Sequence, residues 1–284
     1  MRQWTEVTTF GDLVVRGAAR WPDADAVVIN EERRTYRQLD ERSVAVARSL
    51  AALGVEPGDH VGLLVPNCIE GVEVLFGAAR LGAVVVPINA RFRARELAHV
   101  IADGDVRVIV TSDVVADHVD YVELLHEAVG GLADASQPSH LQLRAFPELR
   151  AAVLLGTSDA PGFVSQSDFE ARADEVESAD VDRWRRSVAL RDPAIMIYTS
   201  GTTAMPKGCP LSHEALVRTA VEAGRTRFRF VEGDRFWDPL PLFHMSFILP
   251  LIGVLDAGGT FISMTHFEPA AALAQLEREG VTGM

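Results

Sequence analysis

Five short apolar runs, each followed by a stretch long enough for a helix or a long connection, constrain this chain more than any other feature. They fall at residues 61–65, 84–86, 106–110, 151–155 and 194–198. Most are rich in β-branched residues and show no apolar–polar alternation, the pattern of a strand buried on both faces. Between them run helical repeats. In residues 43–53, Val44, Ala47, Leu50 and Ala51 share a face, and Gly54 follows as a stop. Pro57-Gly58-Asp59 turns the chain into the first of the five strands. Ile69, Val72, Phe76 and Ala79 line up on a second helix, with Asn67 placed to cap its start and Gly82 to end it. Residues 94–102 supply a third. Strands and helices in alternation predict an α/β fold, with largely parallel sheets covered by helices on both faces.

The connecting regions divide the chain. Residues 129–150 are weakly patterned and contain Gly130-Gly131 and Pro138, which predicts a surface connection. Residues 165–192 are highly charged, end at Arg191-Asp192-Pro193, and are expected to be solvated. Two α/β subdomains are therefore expected, residues 1–165 and 166–284. The second repeats the grammar of the first. Ser212 can cap a helix carrying Glu214 in its first turn. A strand at 236–240, a helix at 247–256, a strand at 260–264 and a helix at 269–279 follow. Val281-Thr282 then opens what reads as another strand before the chain stops at Met284. An α/β chain ending there leaves a sheet position empty, so the sequence is expected to be the N-terminal portion of something longer.

The net charge of −13 argues against nucleic acid as a partner and against unaided docking on anionic lipid. No apolar stretch approaches the roughly 20 residues that span a bilayer. The start, Met-Arg-Gln-Trp-Thr-Glu, lacks the layout of a signal peptide. Cys68 and Cys209 are too few for a disulfide framework or a metal cluster. A cytoplasmic protein is expected. An anionic substrate would then need a local positive site, and one stands out. Of the 27 Lys and Arg residues only Lys207 is lysine. It closes the run Tyr-Thr-Ser-Gly-Thr-Thr-Ala-Met-Pro-Lys-Gly at residues 198–208. Such a loop offers hydroxyls, unhindered backbone N–H groups and one compact ammonium, the chemistry a polyphosphate requires. It is not a Walker A loop, since Pro206 stands where the second glycine belongs and Gly208 where the magnesium-binding hydroxyl belongs. No dinucleotide-binding glycine fingerprint follows any predicted strand.

The run resembles the phosphate-binding signature of the adenylate-forming superfamily, Tyr-Thr-Ser-Gly-Thr-Thr-Gly-x-Pro-Lys-Gly, which includes acyl-CoA synthetases, peptide-synthetase adenylation domains and luciferases. Leu211-Ser212-His213 continues the likeness. Thr35-Tyr36-Arg37-Gln38-Leu39, the run 51–65 and residues 81–89 resemble the superfamily's N-terminal region, and Pro241-Leu242-Phe243-His244 its next core motif. Ala204 departs from the usual glycine, which costs something like 1 kcal/mol if that position needs positive φ. Cys209 replaces a valine as a small, buried-type exchange. The superfamily's acidic aromatic motif, ribose-binding aspartate and C-terminal lysine lie beyond the matching region, so the resemblance implies an N-terminal domain truncated before the C-terminal one.

The resemblance further implies ATP-dependent activation of a carboxylic acid, in the first instance a fatty acid, to an acyl-AMP and then an acyl-CoA. ATP, Mg²⁺ and coenzyme A would be required. Thr199, Ser200, Gly201, Thr202, Thr203 and Lys207 would wrap the β- and γ-phosphates, with Thr199 nearest Mg²⁺ and Gly208 giving the backbone room to approach. Lys207 would offset charge on the departing pyrophosphate. His244 would sit by the reacting carboxylate, with Met245, Phe247 and Ile248 near an apolar acyl chain; from composition alone His244 reads equally well as a packed core residue. Trp237 and Asp238 read as structural, and Arg91 and Arg93 as a solvated face. The alternatives are a non-catalytic nucleotide-binding module and an adenylating enzyme that passes its acyl group to another acceptor. The sequence leaves the oligomeric state open.

Overall fold

The computed structural model describes residues 8–115, 117–199 and 205–284. Among these the strands are β1 (Asp25–Ile29), β2 (Glu32–Thr35), β3 (His60–Leu64), β4 (Val84–Pro87), β5 (Val106–Ser112), β6 (Ala151–Leu155), β7 (Val164–Ser165), β8 (Pro193–Thr199), β9 (Lys207–Ser212), β10 (Arg235–Trp237) and β11 (Thr260–Ser263). The α-helices are α1 (Asp12–Arg20), α2 (Tyr36–Ala52), α3 (Ile69–Leu81), α4 (Ala94–Asp103), α5 (Tyr121–Ala128), α6 (Gln166–Ala171), α7 (Ser178–Ser187), α8 (His213–Ala223), α9 (Met245–Ala257) and α10 (Pro269–Arg278).

The strands form two sheets, one in the order β7-β6-β5-β3-β4-β8-β9 and one in the order β10-β11-β1-β2. Pairing is parallel except at β9 and β2, which run antiparallel to their neighbours. The expected α/β architecture is therefore present, with two antiparallel edge strands that the apolar pattern did not announce. Both sheets draw strands from either side of residue 165, since β4 pairs with β8 and β1 with β11. The division at that residue follows the chain and not the sheets.

Successive side chains of a strand point to opposite faces, so a strand buried twice must feed two cores. Val61 and Leu63 enter one core and Leu64 the other; Val108 and Val110 oppose Val106 and Ile109; Ala151 and Val153 oppose Ala152 and Leu154. The smaller sheet behaves alike, with Val27, Phe236 and Phe261 on one side and Val28, Trp237 and Ile262 on the other. The first core contains residues of both sheets together with α1, α2, α3, α8 and α9. A shared layer of helices thus lies between the sheets, α4 and α5 cover the outer face of the larger one, and α10 packs on the smaller. Each large apolar side chain buried this way contributes about 1.5–3 kcal/mol.

Several boundaries differ from the sequence reading. The α2 helix begins well before residue 43, at a capping box in which Thr35 and Gln38 exchange side-chain-to-backbone hydrogen bonds. Residues 129–150 are irregular as expected yet not superficial, since Val129, Leu132, Leu141 and Leu149 are buried in the second core. The charged segment 165–192 is largely exposed, but it is not unstructured. It forms α6 and α7, which bury Phe169 and Val181 in the first core and leave their charges outward. A single buried residue per helix is too sparse a signal to read in advance. β10 ends at Trp237, and residues 238–240 form a turn closed by the Leu240 N–H donating to Asp238 Oδ1 at 2.8 Å. The Val281-Thr282 segment contributes one parallel bridge, Gly283 beside Phe236.

Candidate active site

β8 runs through the larger sheet beside β4 and carries Thr199 at its C-terminal end. The chain returns as β9, with Thr199 opposite Lys207 and Tyr198 opposite Gly208. Pro210 is tolerated in β9 because the strand lies at the sheet edge. Ser200, Gly201, Thr202, Thr203 and Ala204 lie outside the described residues. Thr199 and Lys207, on either side of them, are both exposed. Among the described residues no carboxylate pairs with Lys207.

Two residues that the sequence reading passed over hold this hairpin. His99 and Asp103, four apart on α4 and therefore on one face, reach one arm each. His99 Nε2 lies 2.9 Å from the Pro206 carbonyl, and the Tyr198 hydroxyl donates to Asp103 Oδ2 at 2.8 Å. Burial, reinforced by the Asp103 carboxylate, holds the Tyr198 phenol well above its ordinary range, so it stays a donor. Gly208 packs against the same ring. A Cβ there would fall 2.8 Å from Met196 Sδ and 3.1 Å from Tyr198 Cζ, so the close approach this glycine permits is to its own strand partner. Cys209 is exposed, contrary to the buried role expected of it. The polar, glycine- and proline-bearing edge strand gives its side chains little to pack against.

The second part of the site is the segment 238–244, which links β10 to α9. Asn67 does not cap α3 as expected; Cys68 occupies that position without a side-chain cap. The Asn67 amide instead donates to Leu240 O at 2.9 Å, Ser263 Oγ at 3.1 Å and Met264 O at 3.2 Å, while its Oδ1 accepts the Leu242 N–H at 2.8 Å. One side chain at the end of β3 thus ties the 238–244 segment and the end of β11 to the larger sheet. His244 is exposed, which removes the packed-core reading. It begins α9, and its Nδ1 accepts the Ser246 N–H at 3.2 Å and lies 2.6 Å from Ser246 Oγ. That arrangement places the ring proton on Nε2, which has no partner among the described residues.

Cavities open on both sides of this segment, and Pro239 lines each. One, of about 590 Å³, is walled by Phe228, Phe236, Trp237, Leu240, Met245, Leu249 and Pro250. The other, of about 270 Å³, lies at the C-terminal ends of strands from both sheets, where Val65, Asn67, Arg91, Phe243 and Thr265 meet. Ligands in α/β sheets bind at such strand ends. Met245 and Leu249, one helical turn apart, line the larger cavity, whereas Phe247 and Ile248 are wholly buried in the core. Trp237 donates its indole N–H to Gln275 at 2.9 Å, and both it and Asp238 form cavity wall. Arg91 is exposed and borders the smaller cavity; Arg93 is exposed at the start of α4. No helix among the described residues is long and apolar enough to cross a membrane, and none of their His, Cys, Asp and Glu side chains form a group of three or more able to hold a metal ion.

Comparison with known proteins agrees with this layout. The chain is 31% identical over 273 residues to a feruloyl-CoA synthase of Amycolatopsis, covering 96% of this chain and 47% of that protein. It is 29% identical over 250 residues to the long-chain-fatty-acid–CoA ligase FadD13 of Mycobacterium tuberculosis, covering 88% of this chain and 43% of the ligase. The inhibitor-bound N-terminal domain of FACL13 from the same organism superimposes with a TM-score of 0.74 at 27% identity, covering 97% of this chain and 62% of that one. The chain spans about half the length of the curated relatives it matches. A family model described as AMP-binding enzyme matches residues 14–284, and the chain belongs to that family.

Proposed function

We propose that this chain carries the phosphate-binding and acid-binding side of an enzyme that activates a carboxylic acid with ATP, forming an acyl-AMP and then an acyl-CoA. The observation that carries the reading is the exposed Lys207, opposite Thr199 in the β8–β9 ladder and without an acid partner among the described residues. Carboxylate attack on the α-phosphate expels pyrophosphate, and the barrier depends on positioning and charge rather than on covalent chemistry by the protein. Lys207 offsets the growing charge on the leaving pyrophosphate. Ser200, Gly201, Thr202 and Thr203 supply hydroxyls and backbone N–H groups to its oxygens, and Gly208 keeps the second arm of the hairpin close to Tyr198.

Mg²⁺ fits this donor set. It binds few protein oxygens and takes the rest of its shell from phosphate and water, and Thr199, an exposed residue, offers one hydroxyl, with no metal-holding acidic group among the described residues. When bound, the ion adds positive charge beside the phosphates. His244, with its Nδ1 engaged by Ser246, orients Nε2 toward the acid carboxylate, and the larger cavity takes the acid's apolar body. An apolar cavity of about 590 Å³ fits a medium-length or aromatic acid, fatty acids included. Coenzyme A is the acceptor we assign, and the cytoplasm the compartment.

Acid-dependent exchange of pyrophosphate into ATP, measured on the full-length protein, tests the proposal. Exchange that requires an acid, and acyl-CoA release on adding coenzyme A, are expected. ATP binding with no exchange for any acid would leave only a nucleotide-binding module, and exchange without thioester formation would point to another acceptor.

A further inference from the structure

The larger cavity is mostly apolar, and Arg227, Asp238 and Ser246 are the charged and polar residues of its lining. Asp238 lines it while only 5% exposed. Among the described residues no Arg, Lys or His pairs with its carboxylate, although this protein supplies arginine partners to most of its other buried acids. One oxygen accepts the Leu240 N–H at 2.8 Å, and the backbone carbonyl accepts the Ser263 hydroxyl at 2.6 Å. The turn therefore satisfies part of the residue's hydrogen-bonding capacity. A buried carboxylate can accept at about four lone-pair positions and is costly to leave short of donors. Burial raises the carboxyl above its usual range, and the Leu240 N–H opposes that rise. An asparagine or serine would make the same turn without burying a charge in the cavity wall.

Resting on the reading of this cavity as the acid-binding pocket, we propose that Asp238 is a specificity-determining residue whose carboxylate accepts a hydrogen bond from a hydroxyl on the body of the acid. The substrate class is then a hydroxylated carboxylic acid, its carboxyl toward His244 and its hydroxyl toward Asp238. Phe228, Phe236 and Trp237 cover the apolar remainder. A site with a buried acceptor discriminates against a ligand lacking the donor, because the acceptor is left desolvated and unpaired.

The test uses acid-dependent pyrophosphate exchange on the full-length protein with matched acids: 3-(4-hydroxyphenyl)propanoic, 3-phenylpropanoic and 3-(4-methoxyphenyl)propanoic acids, and 12-hydroxydodecanoic, dodecanoic and 12-methoxydodecanoic acids. For at least one set the hydroxylated member is expected to exceed the unsubstituted one in kcat/KM by roughly 10- to 100-fold. The methoxy member should lose that advantage, because it keeps the oxygen and lacks the donor. Asp238→Asn, which can still accept the Leu240 N–H, is expected to bring the ratio of kcat/KM for the hydroxylated over the unsubstituted acid within about threefold. A methoxy acid as good as its hydroxylated partner, or an unchanged preference in Asp238→Asn, overturns the assignment. The methoxy comparison needs no variant and decides the matter even if Asp238→Asn does not fold. Exchange with none of the six acids while other acids support it overturns this inference alone; exchange with no acid at all overturns the pocket reading as well.

Discussion

The charged groups of this molecule fall into two regions that behave oppositely. Around the smaller sheet and the helices beneath it, charges are closed on one another. Glu73, with its side chain 1% exposed, receives Arg34 Nε at 2.7 Å and Arg42 Nε at 3.0 Å. Glu279, 4% exposed, receives Arg235 at 2.7 Å, Arg278 at 3.2 Å and Arg33 at 3.3 Å. Arg80, buried to 2%, pairs with Asp40. At the β8–β9 hairpin the reverse holds, and the chain's one lysine stands exposed with no acid partner among the described residues. The planar guanidinium suits fixed, multidentate pairing, whereas an ammonium on a flexible stem suits a ligand that comes and goes. A charge matched by its neighbours belongs to the fold; one left unmatched at a strand end is available to a substrate.

That contrast predicts a clean separation of effects. Lys207→Ala should lower acid-dependent exchange by about 10²- to 10³-fold, roughly 3–4 kcal/mol of barrier. Its melting temperature should stay near that of the wild type, because no partner is lost. A melting temperature that falls with activity would place Lys207 among the structural charges. Glu73→Gln should do the opposite. It removes the charge that two arginines share at a buried position, replaces one of the two accepting oxygens with an NH2 donor, and is expected to cost about 3 kcal/mol of stability in a denaturant titration. Exchange per folded molecule should be unchanged, and a specific loss of turnover would blur the two regions. Asn67→Ala falls between them. It leaves Leu240 O, Met264 O and the Leu242 N–H short of a partner, costing about 2 kcal/mol. Because it also frees the segment that walls both cavities, KM for the acid should rise more than KM for ATP. Equal rises would argue that the segment holds its shape without Asn67.

The same two regions show what a sequence discloses. Strands 61–65, 84–86 and 106–110 were legible because both their faces are buried, and burial on two faces leaves no choice but apolar side chains. The Ser212 cap and the Gly82 helix end were legible because the requirement is local; Gly82 adopts left-handed φ, at 80°. The hydroxyl-rich run with its lysine was legible as a motif. What holds that run was not. His99 lies 107 residues from Pro206, Asp103 lies 95 from Tyr198, and Asn67 lies 173 to 198 from its partners around β11 and the 238–244 segment. A lone histidine, aspartate or asparagine at a strand or helix end carries no periodic signal, so only the topology reveals its partner. The edge strand β9 escaped for a related reason: exposed on its outer side and broken by Gly208 and Pro210, it lacks the apolar pattern by which the inner strands announce themselves.

At neutral pH His213 gives the smallest predicted effect, and on acidification the sharpest pH signature. It closes the motif run at the start of α8, is fully buried, and accepts the Phe10 N–H on Nδ1 at 3.0 Å, while its Nε2 has no partner among the described residues. Desolvation pushes the imidazole down to about 4, against the pull of Asp192 and Asp12. An unfolded histidine titrates near about 6.5. Between the two values the unfolded chain holds a proton that the folded chain refuses, so stability is complete above about 6.5 and declines as pH falls toward about 4. The slope contributed by one such group is at most about 1.4 kcal/mol per pH unit. His213→Gln removes the titration and can still accept the Phe10 N–H through its side-chain oxygen. Urea titrations of both proteins from pH 7.5 to about pH 4.5 should therefore diverge on the acid side, with the variant flatter by up to one proton. Parallel curves would mean that His213 charges without unfolding, and that the contact between the N-terminal segment and α8 yields to make room for it.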